Sequence, residues 1–497
     1  MRRRSASSGG RTAGRRRSPL LLALLVGCGE TAGPRAPTSP RIEWVDGALE
    51  PVLVRGQATV VEGLGFGVGS GARGGVAFAK SGGGTATALV AAWSDLAIRV
   101  TVPDSAVSGT LAVTTATGLR LTAAVHVLPR VSYGPDTLAW TPRAAFPTAP
   151  IGVGVAAAEI PAGAVIATTL YAVGGAEQLG PRLIPDSGVY VARAQPGGAI
   201  LSWTRQRDHS DPARSRVLPA PRAFAAVAAA TRYNSRFEGS ALYVIGGTDS
   251  SGRAQASVLA ADVTADSVSS RFAPIEPLPA PVAGAIAVVK RGRIYVIGGT
   301  DSIGRPQRTV FVGRIGLDGH IDGWYEQPLL TTPRAYGGAV VLDDRVVAFG
   351  GVADSVPPGG GLDPALTRLA SSDTAPLSLV SGFFAGPWAA GAALLPTGRS
   401  QFATLDLGDV VLLVGGMYAG ASTNSAETVA AAAGGDSLGA FAGPVGTNTI
   451  AGPPNDGGTL VGPTGITWRE ADGSRRAIVI GGTDLGTGLR RSGVWGF

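Results

Sequence analysis

The chain has 497 residues, of which 45% are hydrophobic and only 15% charged, with 75 glycines and 35 prolines. This is a globular, turn-rich composition for roughly two to four domains, and it excludes a disordered or collagen-like chain. The formal charge of +7 is concentrated in residues 1–27, which hold seven arginines and no acid; the remainder is formally neutral, which argues against nucleic acid as a partner.

In chain order, residues 1–27 read as an export leader. A basic segment precedes the apolar run Leu20-Leu21-Leu22-Ala23-Leu24-Leu25-Val26, far short of the roughly 20 residues that span a bilayer. The run ends in Leu25-Val26-Gly27-Cys28, and Cys28 is the one cysteine of the chain. This ending resembles a bacterial lipobox, which implies that Cys28 becomes the lipidated first residue of the mature protein. The expected location is the bacterial cell envelope, with the outer membrane or cell surface favoured because Gly29, and no aspartate, follows the cysteine. Residues 28–40, small, polar and proline-rich, read as a flexible tether. A single cysteine leaves no internal disulfide, so packing and strand pairing must supply stability.

Residues 41–129 alternate short β-type runs with glycine turns, the pattern of a small β-sandwich. Glu62-Gly63-Leu64-Gly65-Phe66-Gly67, Trp93, Ile98-Arg99-Val100-Thr101-Val102-Pro103 and Ser108-Gly109-Thr110-Leu111-Ala112-Val113 follow in an order that resembles the immunoglobulin-like IPT/TIG family. That resemblance implies a spacer module, with Trp93 as a packing aromatic.

From residue 130 a repeat takes over. Tyr243-Val244-Ile245-Gly246-Gly247-Thr248-Asp249-Ser250 recurs as Tyr295 to Ser302, and weaker copies end in Gly174-Gly175, Gly350-Gly351, Gly415-Gly416 and Gly481-Gly482. Such periodicity means units that bury their faces only against their neighbours. Each unit reads as four strands, the fourth marked by Trp203, Phe272, Trp324, Phe383 or Phe441. Four strands with a glycine pair resemble the kelch β-propeller, as does Leu218-Pro219-Ala220-Pro221-Arg222. The fold expected is therefore all-β: a six-bladed kelch-type propeller over 130–497, preceded by the small immunoglobulin-like sandwich. The last unit lacks room for a fourth strand, so residues 136–141 are expected to pair with residues 492–497 and close the ring, removing an exposed edge. Trp140, Trp203 and Trp324 are expected to pack.

In antiparallel four-stranded units the second-to-third and fourth-to-first connections share one face. That face collects the long loops Arg205–Pro221, Val352–Pro364, Ala385–Arg399 and Gly443–Pro463, and long loops on a rigid scaffold are where binding resides. The candidate rim comprises Arg222, Arg334, Arg399, Asp249, Asp301 and Asp484. The arginines suit carboxylates or acidic sugars; the competing reading has them bonding carbonyls of neighbouring blades. The aspartates, in repeated Gly-Gly-Thr-Asp, suit capping of their own turns. The three histidines, His126, His209 and His320, do not converge, so no metal site or cofactor is expected. His209 remains the one candidate base. The function expected is non-catalytic recognition of a glycan or surface protein by the long-loop face. The alternatives are a carbohydrate-active enzyme like the kelch epimerases that act on sialic acid, or a structural envelope protein.

Overall fold

The computed structural model describes residues 39–497 apart from short internal segments, the longest of which are 232–239, 444–461 and 483–491. The leader, the tether up to residue 38, Cys28 and Asp484 lie outside the described residues. The described chain is built almost wholly of strands, joined by two short 3-10 turns.

Residues 41–128 form two sheets around one core. The first orders Arg41–Val45, Ala58–Leu64, Ala97–Thr101 and Leu89–Trp93; the second orders Val52–Val54, Arg120–Leu128, Ala106–Thr114, Gly75–Lys80 and Thr85–Thr87. Val45, Val61, Ile98 and Val100 of one sheet meet Phe78, Leu111, Val113 and Val125 of the other, all buried. Alternation along each strand produces this: one face of every strand is apolar and turns inward. Trp93 packs against this core, and its indole N–H donates to the Gly67 carbonyl.

Beside a two-stranded and a three-stranded sheet, the rest of the described chain forms four-stranded antiparallel sheets, in the architecture of a β-propeller. Their first strands are Gly154–Ala162, Ala226–Thr231, Ile286–Lys290, Gly338–Leu342, Ala403–Asp406 and Thr464–Arg469. Each first strand touches the next, and the sixth touches the first. No single core holds them. Separate buried clusters fill the gaps between successive sheets, such as Tyr243, Ile245, Ile294 and Phe311 between the second and third, and Tyr190, Trp203, Ile478 and Val494 between the sixth and first.

The glycine pair exists because the next sheet passes too close for a side chain. Gly174, Gly246 and Gly298 have φ of 64°, 59° and 61°. A Cβ on them would fall 2.2 Å from the Arg222 carbonyl oxygen, 2.3 Å from that of Val282 and 2.2 Å from that of Arg334. Those same carbonyls accept from the second glycine of each pair: Gly175, Gly247 and Gly299 donate at 2.8, 2.8 and 2.9 Å. The tyrosine that opens the repeated phrase makes a second tie. Tyr171, Tyr243 and Tyr295 are buried in the second strands, and their hydroxyls donate to the carbonyls of Thr264, Gly319 and Gly382 in the outer turn of the following sheet.

The sixth sheet is assembled from both ends of the described chain. Thr141 pairs with Gly496 and Pro142 with Trp495, and the Trp140 ring meets Phe497 edge-on at 4.9 Å. The pairing therefore sits at Thr141–Pro142, at the end of the segment 136–141 expected from the sequence. Residues Pro135–Thr137 form a 3-10 turn instead, because Pro135 fixes the turn and Thr137 bonds back to the Gly134 carbonyl. Of the aromatics expected in fourth strands, Trp324 lies within one, whereas Trp203 and Phe272 immediately precede theirs, Phe383 lies in the loop before its strand and Phe441 follows its own.

The two-sheet domain rests on the face formed by the first-to-second turns. Arg291 and Glu62, both nearly buried, are paired at 2.5 Å; Lys290 and Asp46 pair at 3.0 Å; and Arg99 bridges Asp343 and Asp344. Arg291-Gly292 is a tight turn with φ of 50° and 67°, suited to a two-residue hairpin. The long-loop face points the other way.

Candidate binding face

The structure places Arg222, Arg334 and Arg399 beneath the rim rather than on it: they are 6%, 0% and 1% exposed. Each side chain is spent on its own sheet. Arg222 Nη1 donates to the carbonyls of Gly246 at 3.0 Å and Ser257 at 3.2 Å. Arg334 Nη1 donates to Gly350 at 2.8 Å and Ser371 at 3.3 Å, and its guanidinium pairs with buried Asp373 at 3.3 Å. Arg399 reaches the Gly415 carbonyl and the Tyr418 hydroxyl, with its guanidinium carbon 4.4 Å from the Tyr418 ring centre. Burial pushes Arg222 and Arg334 below the ordinary guanidinium value, opposed by Asp249 and Asp373 respectively. Meanwhile the main-chain carbonyls of these arginines hold the preceding sheet. One residue thus clamps two glycine pairs, one through its side chain and one through its backbone.

The aspartates cap their own turns. Asp249 accepts from the main-chain N–H of Ser251 and Arg253 and from the Gln255 amide. Asp301 repeats this with Ile303, Arg305 and Gln307. Although burial works to raise Asp249, the donors on Ser251 and Arg253 hold it below the usual carboxylate range. His209 is exposed, and its Nδ1 accepts from the Asp211 N–H at 2.9 Å. His126 lies in the strand Arg120–Leu128, and His320 stands beside Asp318 on the opposite face. Among the described residues no three His, Cys, Asp or Glu side chains group as metal ligands.

Sequence reasoning missed a feature that the tertiary structure assembles. Two residues after Arg222, Arg334 and Arg399, and after the equivalent non-arginine positions of the other three sheets, comes a residue in the left-handed region: Gly152, Phe224, Gly284, Tyr336, Gln401 and Gly462, with φ between 53° and 68°. They are linked head to tail around the axis. Phe224 N–H donates to the Gly152 carbonyl, Gly284 to Phe224, Tyr336 to Gly284, Gln401 to Tyr336 and Gly462 to Gln401, at 2.8 to 3.0 Å. Each aromatic covers the glycine before it: a Cβ on Gly152 or Gly284 would lie 2.4 Å from the Phe224 or Tyr336 ring. Burial pushes the Tyr336 hydroxyl well above its ordinary value. The signal was present in Pro221-Arg222-Ala223-Phe224 and Pro333-Arg334-Ala335-Tyr336, but nothing local marks an aromatic for a left-handed conformation. The ring surrounds the mouth of an axial channel of about 550 Å³, lined by small first-strand residues such as Ala225, Ala285 and Gly338.

The chain is similar to two curated proteins of Limulus polyphemus. It is 35% identical to beta-scruin over 116 residues, 23% of this chain, and 29% identical to alpha-scruin over 112 residues, 22% of this chain. Both are kelch-repeat proteins, and the match spans about an eighth of each relative's length, 12% in both cases. No protein-family model matches the chain. The likeness and the ring of small antiparallel sheets together support a kelch-repeat β-propeller.

With Arg222, Arg334, Arg399 and the repeated aspartates engaged, the long-loop face presents aliphatic side chains to solvent beside exposed charged groups such as Arg207, Asp208 and Arg305. Ile184, Ile303, Leu329 and Leu394 are 51%, 64%, 53% and 53% exposed, and all four lie in second-to-third or fourth-to-first connections.

Proposed function

We propose that this protein is an exported, lipid-anchored, non-catalytic binding protein whose long-loop face recognises another protein. In this reading Cys28 carries the lipid, residues 28–40 are the tether, residues 41–129 are an immunoglobulin-like spacer and residues 130–497 are a six-bladed kelch-type propeller. The observation that carries it is the division of the two propeller faces: the spacer occupies the short-turn face, and the opposite face keeps exposed aliphatics among exposed charged groups such as Arg207, Asp208 and Arg305, while Arg222, Arg334 and Arg399 serve the fold. Scattered aliphatics on a rigid rim suit the apolar centre of a protein interface, and the exposed charges around them suit its polar rim. Similarity to kelch-repeat proteins agrees with a binding role.

The test places a photo-crosslinking amino acid at Ile184, Ile303 or Leu394, with Thr87 on the spacer as reference, in cells that produce the protein. A saturable crosslink to one protein from the first three positions and not from Thr87 is the expected result. Equal crosslinking from all positions, or tight and saturable binding on a glycan array with no protein crosslink, would overturn it.

A further inference from the structure

Besides those on the propeller face, three of the four exposed large apolar side chains of the spacer lie at one end, with Leu89, 74% exposed, at the other. Val68, Leu96 and Leu119 are 93%, 41% and 45% exposed. They belong to three loops that are bonded to one another. Phe66 N–H donates to the Asp95 carbonyl and Ala116 N–H to the Phe66 carbonyl, the Asp95 carboxylate accepts from Gly67 N–H, and Leu119 N–H is held by Thr115 Oγ1. The tips are therefore presented by a cross-braced platform, not by independent strands of coil.

Strand register says what faces this platform. Arg41 pairs with Leu64, and Pro40 lies so near Gly65 that a Cβ there would fall 2.8 Å from its ring. The chain thus enters the spacer at the same end as Val68, Leu96 and Leu119. The propeller meets the other ends of these strands and their flank: Asp46, Gly56, Gln57, Val102 and Arg130 line the cavity against it. No hydrogen bond or ion pair among the described residues joins the three loops to the propeller. Twelve positions separate Pro40 from Cys28, a reach of at most about 40 Å. Arg120, exposed beside the platform, suits an anionic headgroup; Arg41, also exposed, is paired with Glu43 at 2.6 Å.

We propose that Val68, Leu96 and Leu119 insert into the interfacial layer of a lipid bilayer, so that the spacer stands on the membrane instead of swinging from its tether. This rests on the anchoring reading above, since a lipid at Cys28 is what brings the platform to a membrane. One acyl chain alone binds marginally, and a second contact makes attachment durable. The loops supply that contact and orient the long-loop face of the propeller away from the lipid.

The experiment uses residues 28–497, which include the whole compact unit Ser39–Phe497, with Cys28→Ser so that one introduced thiol is the only cysteine. Val68→Cys, Leu96→Cys, Leu119→Cys and, on the propeller, Tyr325→Cys each carry an environment-sensitive fluorophore. An N-terminal histidine tag holds the protein on vesicles of phosphatidylethanolamine and phosphatidylglycerol that contain a nickel-chelating lipid, so proximity does not depend on acylation. Labels at 68, 96 and 119 should brighten and shift to the blue, and the label at 325 should not. No change at the three loop positions, or the same change at 325, overturns the proposal. Without the chelating lipid, a Val68→Ser/Leu96→Ser/Leu119→Ser variant should partition to vesicles about tenfold less than the parent; equal partition also overturns it. Acylation is read separately, from the mass of the exported protein. A bare Cys28 thiol would refute the anchoring reading and leave the tethered-vesicle result standing.

Discussion

At the scale of single residues, the axial ring shows how a side chain is chosen by its neighbour's backbone. Glycine alternates with an aromatic through Gly152, Phe224, Gly284 and Tyr336 because each ring lies where the previous Cβ would be. Replacing Gly284 by alanine imposes a left-handed alanine and a clash with Tyr336, for an expected loss of about 2–3 kcal/mol in urea unfolding. The clash component should disappear in a Tyr336→Ala background, leaving a coupling of about 1 kcal/mol or more between the two changes. Additive costs would mean that the ring contact does not constrain position 284. The same scale decides between the two readings of the arginines, ligand contact or carbonyl bonding, in favour of the second. Arg222, Arg334 and Arg399 occupy the right loops, but spacing along a chain does not say whether a guanidinium points out to a ligand or down to a carbonyl. The aspartates were more legible, because Asp249 and Asp301 repeat with the turn they cap, and a residue that repeats with a turn serves the turn.

At the scale of elements, the unit of stability is the contact between one sheet and the next. The tyrosines of the repeated phrase are the clearest case. Tyr295 is buried, its hydroxyl donates to the Gly382 carbonyl at 2.5 Å, and burial pushes its pKa up to about 12 from an ordinary 10.0, with Arg293 and Arg291 opposing. The neutral hydroxyl is thus favoured by folding. Its contribution is complete below the unfolded value and is lost as pH rises from 10.0 towards about 12. Tyr295→Phe should cost about 1 kcal/mol at neutral pH. Because phenylalanine does not ionise in either state, the deficit should shrink or reverse across that alkaline window, by up to about 2–3 kcal/mol. Denaturant unfolding of both proteins on either side of the window checks this, and a constant difference would sink it. The last three sheets carry Val347, Leu412 and Ile478 at this position, so there the tie is packing alone.

At the scale of the whole molecule, the ring is a circle of pairwise contacts, and one short pairing joins its two ends. Thr141–Pro142 against Val494–Gly496 is only two residue pairs long, reinforced by Trp140 on Phe497 and by Tyr133, whose hydroxyl donates to the Arg475 carbonyl. Deleting residues 132–142, or Val494–Phe497, exposes sheet edges and strips the neighbouring core. Either deletion should lower the melting temperature by about 10 °C or more, or cause aggregation visible on gel filtration. A deletion variant that melts like its parent would show that the ring does not depend on this closure.

The sequence alone determined the all-β class, the repeating unit and the glycine pairs, because a pattern that recurs every unit reports a local requirement that every unit shares. The grouping of long loops on one face also followed, since antiparallel order sorts connections without coordinates. Only the tertiary structure decided which groups those loops leave free, which propeller face the two-sheet domain covers and where the exposed apolar side chains of that domain stand. The contacts responsible join residues remote in the chain: Glu62 and Arg291 are 229 positions apart, and Tyr133 and Arg475 are 342 apart. No periodicity links such partners. They meet because two separately folded surfaces happen to be complementary in charge and shape, a property that only the folded surfaces possess.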